Sequence, residues 1–402
     1  MLASGYLLTE AQSFLPGPGI LAGALLALIF FQLLKTHSFR QRTHGLDYHN
    51  STFSGMTGSD FTLPLWGNIV TFIVAAALIA VAGARLARYS DRLADRTGLG
   101  EALTGTLLLG LTTALPGLTA SVVAAARGYP VLAIGNAIGG IAFQTTILAV
   151  ADISYRKANL EHAAASLVNL MQTVMLILLV TLVLTAFSVP DVPGARVHPM
   201  TVVLILAAGL AFWLVYRVRE VPMWLPQKTR ETVEDVPELE ALNQHLGFLC
   251  IAFLLTALVT LAGGVLVAWT AGEIVRQSNI PEVVVGGLFM AAATSLPELV
   301  TCVASVRRGA LTLAVSDIVG GNFFDVLFVA AADFAYVSGS IYHAPGVGRR
   351  ELFISALTIL LNVLLLAGLI DRQRYGPANI GFESVLMLVA YIAGFLTLAV
   401  AM

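Results

Sequence analysis

From residue 66 onward the chain is a succession of apolar runs, each long enough to cross a bilayer core as a helix, which takes about 20 residues. Ten such runs lie near 66–88, 101–126, 130–152, 164–188, 199–218, 246–270, 282–306, 310–336, 351–370 and 383–401. Inside hydrocarbon every backbone N–H and C=O must find its partner within the protein, so only helices and closed barrels can span. A barrel strand alternates apolar and polar about every second residue, whereas these runs are continuous. The expectation is an all-α, polytopic membrane protein. An eleventh run, about 18–35, has no Lys or Arg before it, which argues against a signal peptide and for an extra N-terminal span or an interfacial helix.

Charge is scarce and placed in the loops. Only 11% of residues are charged, against about 25% in soluble domains. Lys+Arg at 22 against Asp+Glu at 24 leaves no basic excess for nucleic acid. Three of the 22 lie in the first 60 residues, five (Arg127, Arg196, Arg276, Arg349, Arg350) on one face of the ten-run core, and the other fourteen on the opposite face. Positive residues mark the cytoplasmic side, so both ends of the core are expected outside. The stretch 219–245 contains Pro222, Pro226, Pro237 and a cluster of five acids from Glu231 to Glu240. It reads as a cytoplasmic linker between two five-span halves, 63–218 and 246–402, behind an N-terminal extension, 1–62. Cys250 and Cys302 sit inside apolar runs and read as small buried residues. His37, His44 and His49 match no metal-site spacing and read as solvated loop.

The chain repeats itself. Residues 105–152 align without a gap on 286–333, at an offset of 181, with 17 identities in 48 positions, where skewed composition alone gives about five. Five spans separate the copies, so the second enters the membrane upside down. Inverted repeats belong to transporters, in which exchanging the conformations of the two halves alternates access to a site at the midplane. Pro116 and Pro297 fall mid-span at matching positions. Each removes an N–H and crowds the previous turn, so both helices are expected to break there.

Acids within a span cost about 2.5–3.5 kcal/mol each on insertion scales. Glu298 follows Pro297, with Thr294 and Ser295 one turn earlier on the same face, and Asp325 is central in the next span after Gly320, Gly321 and Asn322. No Lys or Arg lies centrally in any span. The counter-charge is therefore a bound cation or a proton, and carboxylate, hydroxyl and amide oxygens suit hard cations. Glu298 and Asp325 are the expected metal ligands. The alternative is a protonated carboxyl in a helix–helix hydrogen bond. The repeat pairs Glu298 with Gly117, Ser295 with Ala114, Asn322 with Ile141, Asp325 with Gln144 and Thr294 with Thr113. Thr113 and Gln144 join the candidate ligands. Asn322, Asp317 and its repeat partner Asn136 are weaker candidates. Asp152 and Asp333 match at the far helix ends and are expected to cap backbone groups.

Thr294-Ser295-Leu296-Pro297-Glu298 and Gly320-Gly321-Asn322-Phe323-Phe324-Asp325 resemble the second alpha-repeat of the sodium/calcium exchangers, within the cation/Ca²⁺ antiporter superfamily. Thr113 to Gly117 and Gly139 to Gln144 resemble the first, in divergent form. The resemblance covers the core from about residue 64. It implies ten helices in two inverted halves and exchange of Ca²⁺, or a related divalent cation, against Na⁺ or H⁺ by alternating access. It implies no cofactor, small cations and membrane lipids as partners, and a multi-pass position in a bacterial or archaeal cell membrane. It also implies that Gly117 stands where the family's first-repeat Glu belongs. Other readings are a monovalent cation/H⁺ antiporter of the same fold, an intramembrane enzyme with Arg127 and Arg308 as phosphate clamps, and a passive channel or transport-inactive relic.

Overall fold

The computed structural model describes residues 63–97, 104–154, 159–192, 196–227, 245–374 and 381–400. The N-terminal extension, with its apolar run and three histidines, and the acidic part of the linker lie outside the described residues.

All ten expected runs fall in helix. The first half comprises α1 (Leu65–Thr97), α2 (Thr104–Ala126), α3 (Pro130–Ser154), the short α4 (Leu160–Ala164), α5 (Leu167–Ala186) and α6 (Pro199–Glu220). The second comprises α7 (Leu246–Gln277), α8 (Glu282–Thr294), α9 (Leu296–Arg308), α10 (Leu311–Ala335), a 3₁₀ turn (Ile341–His343), α11 (Arg349–Asp371) and α12 (Phe382–Val400). Eight helices can each cross a bilayer by length and composition, and α8 and α9 together supply a ninth crossing. In α2 the apolar stretch is shorter, Gly110–Ala126. Among the described residues there is no strand. The repeat register extends beyond the aligned segment: Leu65 and Leu246, Pro130 and Leu311, and Leu160 and Ile341 all begin elements at the 181-residue offset.

Apolar side chains cover the outside, and the buried polar groups are held within a largely apolar interior. Around α7, Ile251, Leu254, Leu255 and Leu258 are each about 60% exposed at i, i+3, i+4, i+7 spacing, the stripe of one helix face. Here it faces outward, as a lipid-facing helix requires. Burial separates peripheral from central helices: 33% and 28% of the most apolar windows of α1 and α7 are buried, against 94% in α3 and 72% in α10. The latter two carry Asn136, Gln144, Asn322 and Asp325, all buried.

Glycines let backbones of opposite halves touch. A Cβ at Gly139 of α3 would overlap the Gly287 carbonyl of α8, and one at Gly286 would lie 2.7 Å from the Leu132 carbonyl. Small residues are what permit such approach between membrane helices. Two further contacts obey the repeat. Gly83 of α1 receives the Pro297 ring, and its partner Gly264 of α7 receives the Pro116 carbonyl, 2.6 Å from where a Cβ would be.

Asp152 and Asp333 do what was expected of them, in matching ways. Asp152 Oδ1 accepts the Leu160 N–H at 2.6 Å and Asp333 Oδ1 accepts the Ile341 N–H at 2.8 Å. The other oxygen of each crosses to the opposite half at the start of its last helix. Asp152 Oδ2 accepts from Gly381 N at 3.0 Å, and Asp333 Oδ2 from His198 N at 2.9 Å. Each carboxylate thus ties together three chain segments through backbone donors that helix starts leave unpaired.

The two prolines behave differently, which corrects one expectation. At Pro297 the path bends by 50° between α8 and α9. The preceding turns are wound as a π-helix over Val285–Met290, and Ser295 leaves helical geometry with φ −95° and ψ 9°. At Pro116 the helix does not break; α2 runs through it. Proline forfeits one hydrogen bond and crowds one turn, and a helix pinned on both sides absorbs that. The Thr119 hydroxyl adds a bond to the Leu115 carbonyl at 2.8 Å, and Gly264 leaves room for the Pro116 backbone.

Candidate functional site

The break at Ser295 and the inner face of α10 bring the candidate residues together. Because α9 starts at Leu296 with Pro297 in its first turn, Glu298 stands in that turn, where the helix dipole favours an anion. Asp325 lies midway along α10. Glu298 is 5% exposed and Asp325 3%, so neither is solvated. Asp325 lies within electrostatic reach of Glu298, and among the described residues no Lys, Arg or His pairs with either.

Gln144 of α3 links the halves. Its Nε2 donates to Asp325 Oδ2 at 2.6 Å and to Ser295 Oγ at 3.1 Å. A Cβ at Gly140 would meet Asp325 Oδ2 at 3.6 Å, and one at Gly321 would meet Gln144 Oε1 at 3.9 Å. The two glycines therefore line the same space. Thr113 of α2 contacts the Glu298 carboxylate. With Thr301, Asp317, Gly110, Ile318 and Gly321 they border a narrow cleft. Asp317, Gly321 and Asp325 recur every four residues on α10, which places them on one helix face.

A second layer is held by Asn136, whose Nδ2 donates to the Gly117 carbonyl at 3.1 Å and to Ser121 Oγ at 2.8 Å. Its Oδ1 accepts from Thr294 Oγ1 at 3.1 Å, while that hydroxyl also lies 3.0 Å from the Met290 carbonyl. Thr294 and Asn136 therefore support the broken segment from behind. Asn322 is turned toward Thr145 of α3, its Nδ2 3.5 Å from Oγ1, and Thr145 lies 3.4 Å from Asn362 Oδ1 of α11.

Glu298, Thr113 and Asp317 thus line the cleft, and Asp325, Gln144 and Ser295 form a hydrogen-bonded group that adjoins it at Gly321. Thr294 and Asn136 sit behind, and Asn322 turns to Thr145, one residue past Gln144 on α3. Three buried acceptors of these residues have no hydrogen-bond partner: Glu298 Oε2, Gln144 Oε1 and Asn322 Oδ1. Buried polar atoms are nearly always paired, and unpaired oxygens beside two carboxylates are what a bare cation can satisfy. Gln144 can also turn its amide to present Oε1. Residues that sequence reasoning missed are Ser121, Thr145, Thr301 and Phe328. Phe328 carries the largest consequence, because the Cβ that Gly117 lacks would fall 2.6 Å from its Cε2 atom.

One other grouping of metal-ligating side chains exists among the described residues: Asp191, His198 and His343, with ligand atoms within 4.8 Å of one another. His198 Nδ1 accepts the Met200 N–H at 3.2 Å, so the proton of the neutral ring is assigned to Nε2, 3.4 Å from the Pro190 carbonyl. Neither nitrogen has a free lone pair, and no metal site is assigned there. Arg127, weighed above as a phosphate clamp, lies over the Trp269 ring at 3.7 Å and pairs with Glu273 at 3.5 Å.

Comparison with known proteins identifies the family and supports the fold. The family described as sodium/calcium exchanger protein matches residues 67–220 and 247–400. The sodium/potassium/calcium exchanger 1 of Bos taurus is 37% identical over 175 residues, covering 42% of this chain and 13% of that protein. The inner membrane protein YrbG of Escherichia coli K12 is 24% identical over 293 residues, covering 73% of this chain and 86% of its own. The chain therefore spans about an eighth of the bovine relative's length. Among solved structures, the H⁺/Ca²⁺ exchanger CAX superposes with a TM-score of 0.63 at 13% identity, over 93% of this chain and 87% of that one. The sodium–calcium exchanger NCX_Mj superposes with a TM-score of 0.55 at 16% identity, over 83% and 99%. At such identities these two structures speak for the fold alone.

Proposed function

Since the chain belongs to the sodium/calcium exchanger family, we propose that it is a secondary antiporter moving Ca²⁺, or a related divalent cation, against Na⁺ or H⁺. It does so by alternating access between two inverted halves, 63–218 and 246–402. The carrying observation is the pair of buried carboxylates, Glu298 and Asp325, near one another with no basic partner among the described residues. Two negative charges balance one divalent cation, and Ser295, Gln144 and Thr113 add neutral oxygens of the kind Ca²⁺ accepts. Glu298 and Asp325 are the principal ligands in this reading. Asp317, on the same face of α10 and half-exposed at the cleft, passes cations to them. Asn136 and Thr294 position the broken helix, and Asn322 is assigned no ligand role.

In this reading the chain carries no cofactor, its cations being cargo, and it is a multi-pass protein of a bacterial or archaeal cell membrane. The relatives named for sodium, potassium and calcium, and for protons and calcium, leave Na⁺ and H⁺ as the counter-ions to be tried. In proteoliposomes of the purified full chain, Ca²⁺ uptake is expected only against an imposed Na⁺ or pH gradient. Glu298→Gln, which keeps the shape and removes the charge, is expected to abolish it. Undiminished flux in that variant overturns the site assignment, and flux without any counter-gradient identifies a channel instead.

A further inference from the structure

The internal repeat offers a comparison that needs no other protein. Glu298 is paired by the 181-residue offset with Gly117, so a symmetric pocket would hold a second carboxylate on α2, facing the first across the pseudo-twofold axis. The absence of that side chain has left no opening. A Cβ on Gly117 would lie 2.6 Å from Phe328 Cε2, 3.3 Å from Cζ and 3.5 Å from Cδ2. The ring belongs to α10 of the opposite half and is 4% exposed. It is one of a pair: Phe324, four residues earlier on the same face, lies 2.9 Å from where a Cβ of Gly110 would be. Gly110 and Gly117 are seven residues apart and share a face of α2, so one glycine face receives both rings.

The repeat-related seam is built differently. Gly110 corresponds to Ala291, Gly117 to Glu298, and Phe328 to Ile147. Gly117 faces a ring at a pair of positions whose repeat partners are an acid and a smaller branched residue. Glycine at 117 and phenylalanine at 328 therefore go together: the ring occupies volume that a first-repeat side chain would need.

Resting on the antiporter reading above, we propose that Phe328 is a specificity-determining residue: it closes the repeat-related half of the cation pocket, so that the site takes a single divalent cation on the Glu298–Asp325 side and has no place for a second cation beside it. An aromatic ring pressed on the α2 backbone offers no oxygen ligand, and the Gly117 carbonyl accepts from Asn136 Nδ2.

The test uses purified full-length protein in detergent, read by Ca²⁺ titration calorimetry and by thermal unfolding. Wild type is expected to bind one Ca²⁺ per chain. Gly117→Ala is expected to lower Tm because its Cβ overlaps the ring, and Phe328→Ile, which installs the residue of the other seam, is expected to restore Tm when combined with it. Gly117→Glu alone is expected to bind no better than wild type. Gly117→Glu with Phe328→Ile is expected to bind Ca²⁺ at least tenfold more tightly or to take up a second cation. The proposal is overturned if Gly117→Glu alone tightens binding as much as the pair does, if the stable double variant binds as wild type, or if Gly117→Ala and Phe328→Ile act independently on Tm. Absence of any wild-type Ca²⁺ binding, with unchanged behaviour of Glu298→Gln, would instead remove the antiporter reading on which the proposal rests.

Discussion

The two halves share a register close enough that matching elements start 181 residues apart, yet they divide the work unequally. The second half has the broken helix, the π-wound turns and both carboxylates of the candidate site, Glu298 and Asp325. The first half has a continuous α2, a glycine where the acid would be, and a glutamine that reaches across to Asp325. The far ends of α3 and α10 are nearly interchangeable, each closing on an aspartate that accepts the same pair of backbone donors. Symmetry is kept where a carboxylate holds the scaffold and relaxed at the proposed cation site. The machinery for swapping conformations needs both halves to be alike, whereas a binding site needs only the correct total of ligands.

The largest effect that separates the halves is expected at the repeat pair Asp325 and Gln144. Asp325→Asn keeps the oxygen that accepts from Gln144 but removes one of two charges. Ca²⁺ uptake in proteoliposomes should fall by more than the roughly 10–100-fold that loss of a supporting partner costs a metal site. Gln144→Ala removes one neutral oxygen and should fall within that range. Equal losses in the two variants would mean that the first half contributes as a full ligand set and that the division of labour is wrong.

The aspartate struts should fail equally. Replacing Asp152 or Asp333 by Asn puts an NH₂ group against a backbone N–H and removes a charged acceptor, and hydrogen bonds to charged groups contribute about 1.5–3 kcal/mol each. A loss of about 2–4 kcal/mol is expected for either, read from denaturant unfolding in detergent. Asp333 additionally accepts from Thr201 Oγ1 at 2.6 Å, so its loss should sit at the upper end. A near-zero effect at one end only would break the equivalence.

Smaller again is the glycine contrast. Gly139→Ala forces a methyl into the Gly287 backbone, an overpacking that costs about 1–3 kcal/mol. Gly321→Ala meets only Gln144 Oε1 at 3.9 Å and should leave stability unchanged while narrowing the cation space. The two are separable by measuring Tm and Ca²⁺ affinity on the same samples.

These contrasts also mark what could be read from residues alone. The ten runs, the repeat register, the capping by Asp152 and Asp333 and the pair Glu298–Asp325 were legible because bilayer length, charge cost and repetition each act within one segment. Three things were not. Proline at 116 looks the same as proline at 297, yet α2 continues through it, packed against Gly264 of the opposite half. Asn322 sits three residues before Asp325, but its side chain meets Thr145 of α3 whereas Asp325 meets the adjoining Gln144 of the same helix. The filling of the Gly117 position by Phe328 depends on a contact 211 residues away in sequence between two faces that have no shared motif. Each outcome is set by which surface of the other half lies opposite, and local pattern carries no information about that.

The smallest effect returns to the two ends of the central helices. At the Asp333 end the space beside the strut holds Tyr342 and Thr201, whose oxygens lie 3.4 Å apart. At the Asp152 end the residue matching Tyr342 is Glu161, beside Glu383 of α12. Glu161 lies in α4, outside the spanning helices, and is fully buried. Burial first, then the charges of Asp152 and Glu383, hold its carboxyl well above the ordinary 4.5. With a raised folded pKa, the folded chain binds more protons than the unfolded chain in the window above pH 4.5. Stability from this group is therefore full below that pH and declines as pH rises through the folded value. Glu161→Gln keeps a neutral side chain in place and should flatten that decline. The variant then gains stability over wild type as pH increases, by fewer degrees of Tm than either strut variant loses. Tyr342→Phe, which removes the matching hydroxyl at the other end, should leave the slope as it is in wild type. If Glu161→Gln leaves the pH slope unchanged, the two ends are electrostatically alike and the asymmetry is confined to the cation site.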